Sequence, residues 1–225
     1  MDTGKRVVRV DARDEQSWND AALAMPVERP RWRCWLYRSP AIVLGRSQWA
    51  LSAALPPCTL PTIGRQAGGG AVLVGPWMLG VSLALPSADP RVAGETIAGS
   101  YRWLGAAFVA ALSSQGVVAE SVPRAGTRAA PASLGWACFA GVAPWELVIG
   151  GRKIVGFAQR RSRNGVLIVA GALLSPVPWL LLCQALGRPA GDAGALAAMT
   201  IDASAARGDP LAGEVLADSL AAELG

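Results

Sequence analysis

The stretch Gly150-Gly-Arg-Lys-Ile-Val-Gly-Phe-Ala-Gln-Arg-Arg161 decides the local fold, because its two glycines form a turn that leads into a strand-forming segment. Lysine is rare in this chain: Lys153 and Lys5 are the two lysines among 21 basic side chains. Since an ammonium is compact and a guanidinium broad and planar, a lysine at this position indicates a need for a point charge. On residue type alone, a solvated lysine at a strand edge is the commoner case.

Two short turns predict an antiparallel meander over residues 145–174. Gly150-Gly151 and Asn164-Gly165 are both two-residue hairpin signals between segments rich in β-branched and apolar residues. Successive residues of a strand point to opposite faces. Strict alternation therefore places Lys153 on one face with Val155, Phe157 and Gln159. Apolar neighbours there would partly desolvate the ammonium and aim it at an oxyanion or a carbonyl.

A second candidate feature is the glycine loop in Arg65-Gln-Ala-Gly-Gly-Gly-Ala-Val-Leu-Val74. Three consecutive glycines weaken a strand, so a turn or the close approach of a ligand to the bare backbone explains them better. Backbone amides and the nearby Arg65 guanidinium suit a phosphate or a carboxylate. The pattern matches neither the phosphate-loop nor the dinucleotide signature, and an ordinary tight turn explains it about as well.

Taken in order, four segments resemble the lipoate-protein ligase and octanoyltransferase family, which shares its catalytic domain with biotin-protein ligases. The segments are Pro40 to Gln48, Arg65 with Gly68 to Val72, the helix containing Ser100-Tyr101, and Lys153 to Arg161. The clearest resemblance covers residues 30–175. Its most specific part is the block Gly-Arg-Lys-Ile-Val-Gly-x-Ala-Gln that ends at Gln159.

This resemblance implies an α/β (α+β) fold with mixed, largely antiparallel sheets flanked by helices. We expect one catalytic domain over residues 1–225 without a separate accessory domain, because about fifty residues follow residue 175 and these are too few for one. In the family, the lysine matching Lys153 holds the acyl carbonyl or the adenylate phosphate, and the glycine loop lines the acyl pocket. The implied substrate-binding residues are Arg65, Gly68, Gly69, Gly70, Ala71, Val72, Gly156, Ala158 and Gln159.

The chain departs from the family pattern at two places. The family usually has two arginines before the loop, whereas this chain has Gly64 and then Arg65. Many members carry histidine where this chain has Val74 and Gly75, and the chain contains no histidine. This excludes a Ser-His-Asp or Cys-His mechanism and ligation of a metal by histidine, so no metal site is predicted.

Cys138 is the candidate nucleophile. It precedes the lysine hairpin, at the place where the family's cysteine-dependent octanoyltransferases and amidotransferases carry theirs. A thiolate there would take the acyl group as a thioester, and a nearby Lys153 would favour the thiolate. A buried structural cysteine is the alternative. Cys34, Cys58 and Cys183 are interpreted as apolar filler.

Composition limits the remaining function classes. The 225 residues are 52% hydrophobic, which suffices for a sizeable core. Residues 166–187 carry no charge, but Pro176 and Pro178 interrupt them, so we expect a buried strand, a turn and a helix rather than a membrane span. Residues 1–6 lack the apolar stretch of a signal peptide, so we expect a cytoplasmic location. The net charge is +5, but the arginines are spread along the chain without a dense basic run. We therefore favour a basic rim around the acyl site, which would attract an acidic carrier domain, over nucleic-acid binding.

Other elements follow from periodicity. Ile97, Tyr101, Leu104, Phe108 and Leu112 recur at helical spacing, and residues 79–85 alternate as in a strand. Residues 179–186 and 211–224 favour helices. Residues 120–134 are typical of a mobile loop, in which Arg124 and Arg128 are candidates for contacting a phosphate or an acidic partner.

Three functions stay open at this stage. The first is transfer of an octanoyl or lipoyl group through Cys138 to a lysine of a lipoyl carrier domain, such as glycine cleavage H protein or a 2-oxoacid dehydrogenase subunit. This route needs no cofactor and suits acyl carrier protein as the donor. The second is an ATP- and Mg-dependent lipoate-protein ligase that stabilises an acyl-adenylate with Lys153 and the glycine loop. The third is a non-catalytic protein that binds lipoate or an acyl carrier.

Overall fold

The computed structural model describes residues 7–54, 60–123 and 126–225. Within these ranges two β-sheets are flanked by helices. The strands are β1 (Val7–Val10), β2 (Arg31–Tyr37), β3 (Ala41–Leu44), β4 (Thr62–Gly64), β5 (Val72–Val74), β6 (Met78–Leu85), β7 (Glu120–Ser121), β8 (Leu147–Ile149), β9 (Arg152–Ser162) and β10 (Gly165–Leu173). The α-helices are α1 (Ala12–Ala22), α2 (Arg102–Ser113), α3 (Trp179–Ala185), α4 (Gly191–Met199), α5 (Ala203–Arg207) and α6 (Gly213–Leu224). Short 3-10 helices cover Arg46–Ala54, Gly99–Tyr101 and Ala132–Leu134.

The larger sheet has seven strands in the order β1-β2-β6-β10-β9-β8-β7. Its neighbouring strands are antiparallel except β1 and β2, which are parallel. In the smaller sheet, β4-β3-β5, strand β3 runs parallel to β4 and antiparallel to β5. The predicted mixed fold with largely antiparallel sheets is confirmed.

The predicted meander is formed by β8, β9 and β10, but its second turn lies one residue earlier than predicted: Arg163 and Asn164 form the turn, and Gly165 already pairs with Ser162 in β10. Gly150 and Gly151 have φ angles of 56° and 74°, the left-handed conformation that a two-residue hairpin of this kind requires at both positions. Strand β8 begins at Leu147, so the first two residues of the predicted segment lie in the turn before it. The hairpin glycines therefore place the strand that carries the lysine in the sheet.

The predicted face of Lys153 is wrong because β9 contains a bulge. Val148 pairs with Lys153 while Leu147 pairs with Val155, so Ile154 is an extra residue that strict alternation does not allow for. A Cβ atom added at Gly156 would lie 2.8 Å from Lys153 Cε. The Lys153 side chain thus lies over the Gly156 backbone, whereas Val155 belongs to the core cluster beneath α2.

Two large clusters of buried side chains hold the sheets and helices together. One packs α2 and α6 on the larger sheet, and the other joins the smaller sheet to α3 and α4. Burial of a side chain such as Phe108, which has no exposed surface, stabilises the fold by about 1.5–3 kcal/mol. Four of the predicted helix residues are buried, but Ile97 is 61% exposed and precedes the helical segment, so its inclusion in the helix is wrong.

The chain after β10 returns to both clusters. Residues 166–187 divide into β10 and α3, as predicted, and none of the described helices is long and apolar enough to cross a membrane. Helix α4 contacts β9, and α6 packs on α2.

The predicted loop 120–134 contains β7, a bridge from Arg128 to Val142 and a 3-10 turn. The single-domain organisation stays a prediction.

Candidate functional site

Backbone pairing brings Cys138 against the glycine loop. The Cys138 amide donates to the carbonyl of Ala71 at 2.9 Å, and the Ala71 amide donates to the carbonyl of Trp136 at 2.8 Å. A Cβ atom at Gly70 would lie 2.5 Å from the Trp136 oxygen. The third glycine of the loop therefore allows the cysteine segment to approach.

Gly69 is the position at which the loop turns. Its φ angle is 91°, a conformation that only glycine adopts readily. A Cβ atom at Gly69 would lie 2.9 Å from Arg65 Nη2 and 3.7 Å from Cys138 Sγ. The carbonyl oxygen of Gly69 packs against Gly45, where a side chain would collide with it. Gly69 thus supplies the predicted turn and Gly70 packs on protein backbone, whereas a Cβ atom at Gly68 would have no neighbour within 4 Å.

Arg65 is buried and its guanidinium holds the loop. Nη2 donates to the carbonyls of Gly70 at 2.8 Å and Gly68 at 2.9 Å, and Nη1 donates to the Val43 carbonyl at 3.3 Å. Nη2 also lies 4.0 Å from Cys138 Sγ. The fork expected for a phosphate or a carboxylate thus binds backbone carbonyls, and it places a cation beside the cysteine sulfur.

Lys153 is 2% exposed and its ammonium binds three oxygen atoms. Nζ lies 2.7 Å from Glu146 Oε2 and donates to the carbonyls of Cys138 at 3.1 Å and Gly141 at 3.2 Å. The ring of Phe139 lies 5.0 Å from Nζ. The expected desolvation is therefore confirmed, and the carbonyls that the ammonium contacts are those of the protein.

Cys138 lies between two cavities. An inner cavity of about 50 Å³ has mainly apolar walls, formed by Val72, Val74, Met78, Phe139, Phe157 and Ala158. A larger outer groove of about 470 Å³ has small residues along its walls, among them Gly69, Gly70, Ala130, Ala137 and Gly141. Arg65 lines the inner cavity, Lys153 lines the outer groove, and Cys138 and Phe157 line both.

The far wall of the inner cavity is polar. Glu15, on α1, is 5% exposed and accepts a hydrogen bond of 2.8 Å from the hydroxyl of Tyr37. Burial raises the pKa of Glu15 above its ordinary value of 4.5, and it also raises the pKa of Tyr37. Both groups therefore favour their protonated, neutral forms.

Most of the predicted site residues are brought together around Cys138. Gly156 and Ala158 line the inner cavity. The carbonyl of Gly68 accepts from Arg65, and the carbonyl of Ala71 accepts from the Cys138 amide.

Gln159 lies away from Cys138. Its side chain donates to the Ile97 carbonyl and accepts from the Ser100 hydroxyl, so it fixes the start of the α2 region.

The other predicted candidates are more dispersed. Cys34 and Cys183 are fully buried, as expected of filler, and burial raises the pKa of Cys34 to about 12. Arg128 lines the outer groove. Cys58 and Arg124 lie outside the described residues.

Sequence reasoning missed two carboxylates at this site. Glu146 is the acidic residue of an otherwise apolar segment, seven positions before Lys153, and this isolation is a usable signal. Glu15 gave no signal, because α1 also carries Asp14 and other polar residues typical of a solvated helix. In the described part of the chain, no cluster of three or more metal-binding side chains occurs.

The chain is similar to known proteins in sequence. Residues 14–186 match the family model "Lipoyl protein ligase A/B catalytic domain". The octanoyltransferase LipM of Symbiobacterium thermophilum is 34% identical over 94 residues, which is 41% of this chain and 34% of that protein. The match thus spans about a third of the length of this curated relative.

Two solved structures share the fold. A lipoate-protein ligase A bound with ATP superposes with a TM-score of 0.66 at 16% identity, covering 97% of this chain and 83% of that one. The bipartite lipoate protein ligase of Thermoplasma acidophilum, described with its E2 lipoyl domain, also has a TM-score of 0.66 at 16% identity, with coverage of 97% and 81%. At this identity the likeness establishes the fold.

Proposed function

Because the chain belongs to the lipoyl protein ligase A/B catalytic-domain family of enzymes, we propose that it moves an octanoyl or lipoyl group through a thioester on Cys138 to a lysine of a lipoyl carrier domain. The observation that carries this proposal is the position of Cys138 between the inner cavity and the outer groove. The apolar walls of the inner cavity suit an alkyl chain, and the groove gives a second molecule access to the same sulfur.

In the first step, the Cys138 thiolate attacks the carbonyl of a donor acyl thioester. A new sulfur–carbon bond forms, the donor's sulfur–carbon bond breaks, and the donor leaves as a thiolate. Because the chain has no histidine, the nucleophile depends on cations rather than on an imidazole base. Among the described residues, Arg65 supplies this cation: its guanidinium lies 4.0 Å from Sγ and would stabilise the thiolate.

In the second step, the carrier lysine amine enters the outer groove and attacks the thioester carbonyl. The amide bond forms, Cys138 leaves as a thiolate, and the proton released by the amine neutralises the departing charge. Lys153 is placed to stabilise negative charge on the acyl oxygen, because its ammonium already binds the carbonyl of Cys138. The E2 lipoyl domain described with the Thermoplasma ligase suggests the class of acceptor.

A second candidate is an ATP-dependent lipoate-protein ligase. The observation in its favour is that Arg128 and Lys153 line the same groove as Gly69 and Gly70, a set that suits an anionic phosphate chain. ATP would supply the activation of the carboxylate, and Mg²⁺ would accompany it. In this route Cys138 is a packing residue.

Intact mass of the protein after incubation with octanoyl acyl carrier protein separates the two routes. We expect an octanoyl adduct that hydroxylamine removes, that is missing from Cys138→Ser and that persists in Cys183→Ala, whose thiol is buried. Cys138→Ser should also lose transfer to a lipoyl domain by orders of magnitude. If no adduct forms and Cys138→Ser still acylates the domain with lipoate and ATP, the ligase is the correct function.

A further inference from the structure

The buried Glu146 carboxylate is held by contacts from three parts of the site. Its side chain is 3% exposed, and besides Lys153 it accepts two backbone hydrogen bonds. Oε2 accepts from the Ala143 amide at 2.7 Å, and Oε1 accepts from the Phe157 amide at 2.9 Å. The carboxylate is thus fixed to the turn before β8 and to strand β9 at the same time.

Lys153 uses its full donor capacity. An ammonium has three N–H groups, and these are directed at Glu146, at the Cys138 carbonyl and at the Gly141 carbonyl. The ammonium therefore closes both ends of the four-residue turn that begins at the cysteine. An incoming acyl carbonyl can bind Nζ only if one of these three contacts is given up.

The residue before Glu146 is strained. Trp145 has a φ angle of 69°, a left-handed conformation that a bulky side chain rarely adopts. The surrounding structure holds it there: its amide donates to the Val122 carbonyl at 2.7 Å, its carbonyl accepts from the Ser121 hydroxyl at 3.0 Å, and the Arg102 guanidinium lies 5.5 Å from its ring. Such strain concentrates at functional sites, and here its effect is to direct Glu146 inward.

We propose that Glu146 is a positioning residue that acts through Lys153, an inference that rests on the proposed function. It keeps the ammonium in place while an acyl carbonyl replaces one of the two backbone carbonyls on Nζ. Of the three contacts, the ion pair is the strongest, because both groups are charged and buried. The backbone carbonyls are neutral acceptors and are the ones exchanged.

The test is a double-mutant cycle with Glu146→Gln and Lys153→Met. In Glu146→Gln an amide N–H must face a backbone N–H donor, since both oxygens of the native carboxylate accept from the main chain. We expect kcat for transfer to fall about 10- to 100-fold, with KM for the donor within threefold. Because Lys153→Met itself removes the ammonium needed for transfer, the cycle is followed in that background by the rate of Cys138 alkylation. The same change should alter this rate less than threefold, because the residue through which Glu146 acts is gone.

Two controls complete the design. Glu28→Gln alters an exposed glutamate remote from the site and should leave kcat unchanged. The double variant should recover thermal stability over Lys153→Met, which leaves a buried carboxylate unpaired, yet should not recover activity. Independent, multiplicative effects of the two substitutions on Cys138 alkylation, or a normal kcat in Glu146→Gln, would overturn the proposal.

The rate of Cys138 alkylation by iodoacetamide, followed by mass, keeps this proposal distinguishable from the proposed function. The measurement needs no acyl substrate. If the wild-type protein forms no octanoyl adduct, the thioester route fails, whereas the alkylation cycle still reports whether Glu146 positions the cysteine turn through Lys153. Non-additive effects of the two substitutions on alkylation support the positioning role, and additive effects contradict it.

Discussion

Arg65 and Lys153 are both buried cations that contact the Cys138 segment, but their charges are balanced in opposite ways. Lys153 forms an ion pair with Glu146. Arg65 donates to three neutral carbonyls, and none of the described carboxylates lies within ion-pair distance of it. The charge of Arg65 is therefore the less compensated of the two, although its hydrogen bonds are satisfied.

This difference divides the work between the two sides of the cysteine. Arg65 lines the inner cavity and approaches the sulfur, whereas Lys153 lines the outer groove and approaches the cysteine carbonyl. A planar fork suits several carbonyls of one loop, and a compact ammonium suits three converging oxygens. For the proposed thioester route, we therefore expect Arg65 to stabilise the thiolate and Lys153 to place the acyl carbonyl.

The largest expected effect comes from Lys153. Lys153→Ala should abolish acylation of a lipoyl domain, and Lys153→Arg should fail as well, because a guanidinium is too broad for three converging oxygens. Removing the ammonium also leaves Glu146 buried and unpaired, which should cost about 3–5 kcal/mol of stability. Acylation followed by mass spectrometry, together with thermal unfolding, measures both effects.

Lys153→Arg is the sharper of the two variants, since it keeps the charge beside Glu146. Its Tm should stay closer to that of the wild type than the Tm of Lys153→Ala does. Near-normal turnover in Lys153→Ala would remove Lys153 from the site.

Arg65→Lys is the reciprocal exchange and the second largest effect. An ammonium at the end of the shorter lysine side chain cannot bind the carbonyls of Val43, Gly68 and Gly70 together, so the glycine loop should lose its anchor. We expect adduct formation on Cys138 to slow by roughly 10- to 100-fold. The rate is measured by quenching the reaction at successive times and determining the adduct by intact mass. Arg38→Lys, at an exposed position, is the control. Unchanged adduct formation would contradict the assignment of Arg65 to the sulfur.

Local glycine chemistry made much of the fold predictable. The Gly150-Gly151 turn fixed the first hairpin, and Gly69 fixed the turn beside Cys138, because few other residues adopt those conformations. The second hairpin was predicted one residue too late, since Arg163 and Asn164 form its turn without left-handed backbone. The bulge at Ile154 was not predictable, since nothing in the strand's composition announces an extra residue. The face of Lys153 was therefore assigned wrongly, although its burial was anticipated.

Contacts between distant segments limited the site prediction. Glu15 reaches the inner cavity because α1 packs across the sheet, a relation that the helix sequence does not contain. The scarcity of lysine also has a second cause. Five described arginines stack on tryptophan rings, a contact for which arginine is better suited. Arginine is thus favoured elsewhere in the chain, independently of the need for an ammonium at Lys153.

Gly156→Ala should have a smaller, local effect on the Lys153 side of the comparison. The new Cβ would lie 2.8 Å from Lys153 Cε and 3.1 Å from Nζ, so the ammonium must shift by a few tenths of an ångström. We expect turnover to fall by about 10-fold while adduct formation on Cys138 changes less, because the atoms nearest the added Cβ belong to Lys153 and Glu146 although Gly156 also lines the inner cavity. Gly194→Ala, a helical position with no atom within 4 Å of the added Cβ, is the matched control. Equal effects on both steps would contradict the division of roles.

The smallest effect concerns Glu15, near Arg65 at the inner cavity. Burial raises its pKa, against the opposing effects of Tyr37, Asn19, Arg65 and Gln16. A raised carboxyl pKa means that the folded protein binds this proton more tightly than the unfolded chain does. Stability from this group is therefore fully present below the ordinary value of 4.5 and is lost as pH rises through the folded pKa.

Glu15→Gln keeps an oxygen for the Tyr37 hydroxyl but cannot ionise, so it should escape that loss. Its Tm relative to the wild type should rise as the pH is raised from 4.5, and for a chain of this size each kcal/mol corresponds to roughly 2–4 °C. Thermal unfolding of both proteins across this range, with Glu28→Gln as the exposed control, measures the difference. Parallel Tm curves would mean that Glu15 has the same protonation behaviour in the folded and unfolded chains. The carboxyl near Arg65 would then be ionised at neutral pH, and the argument that the charge of Arg65 is uncompensated beside Cys138 would fail with it.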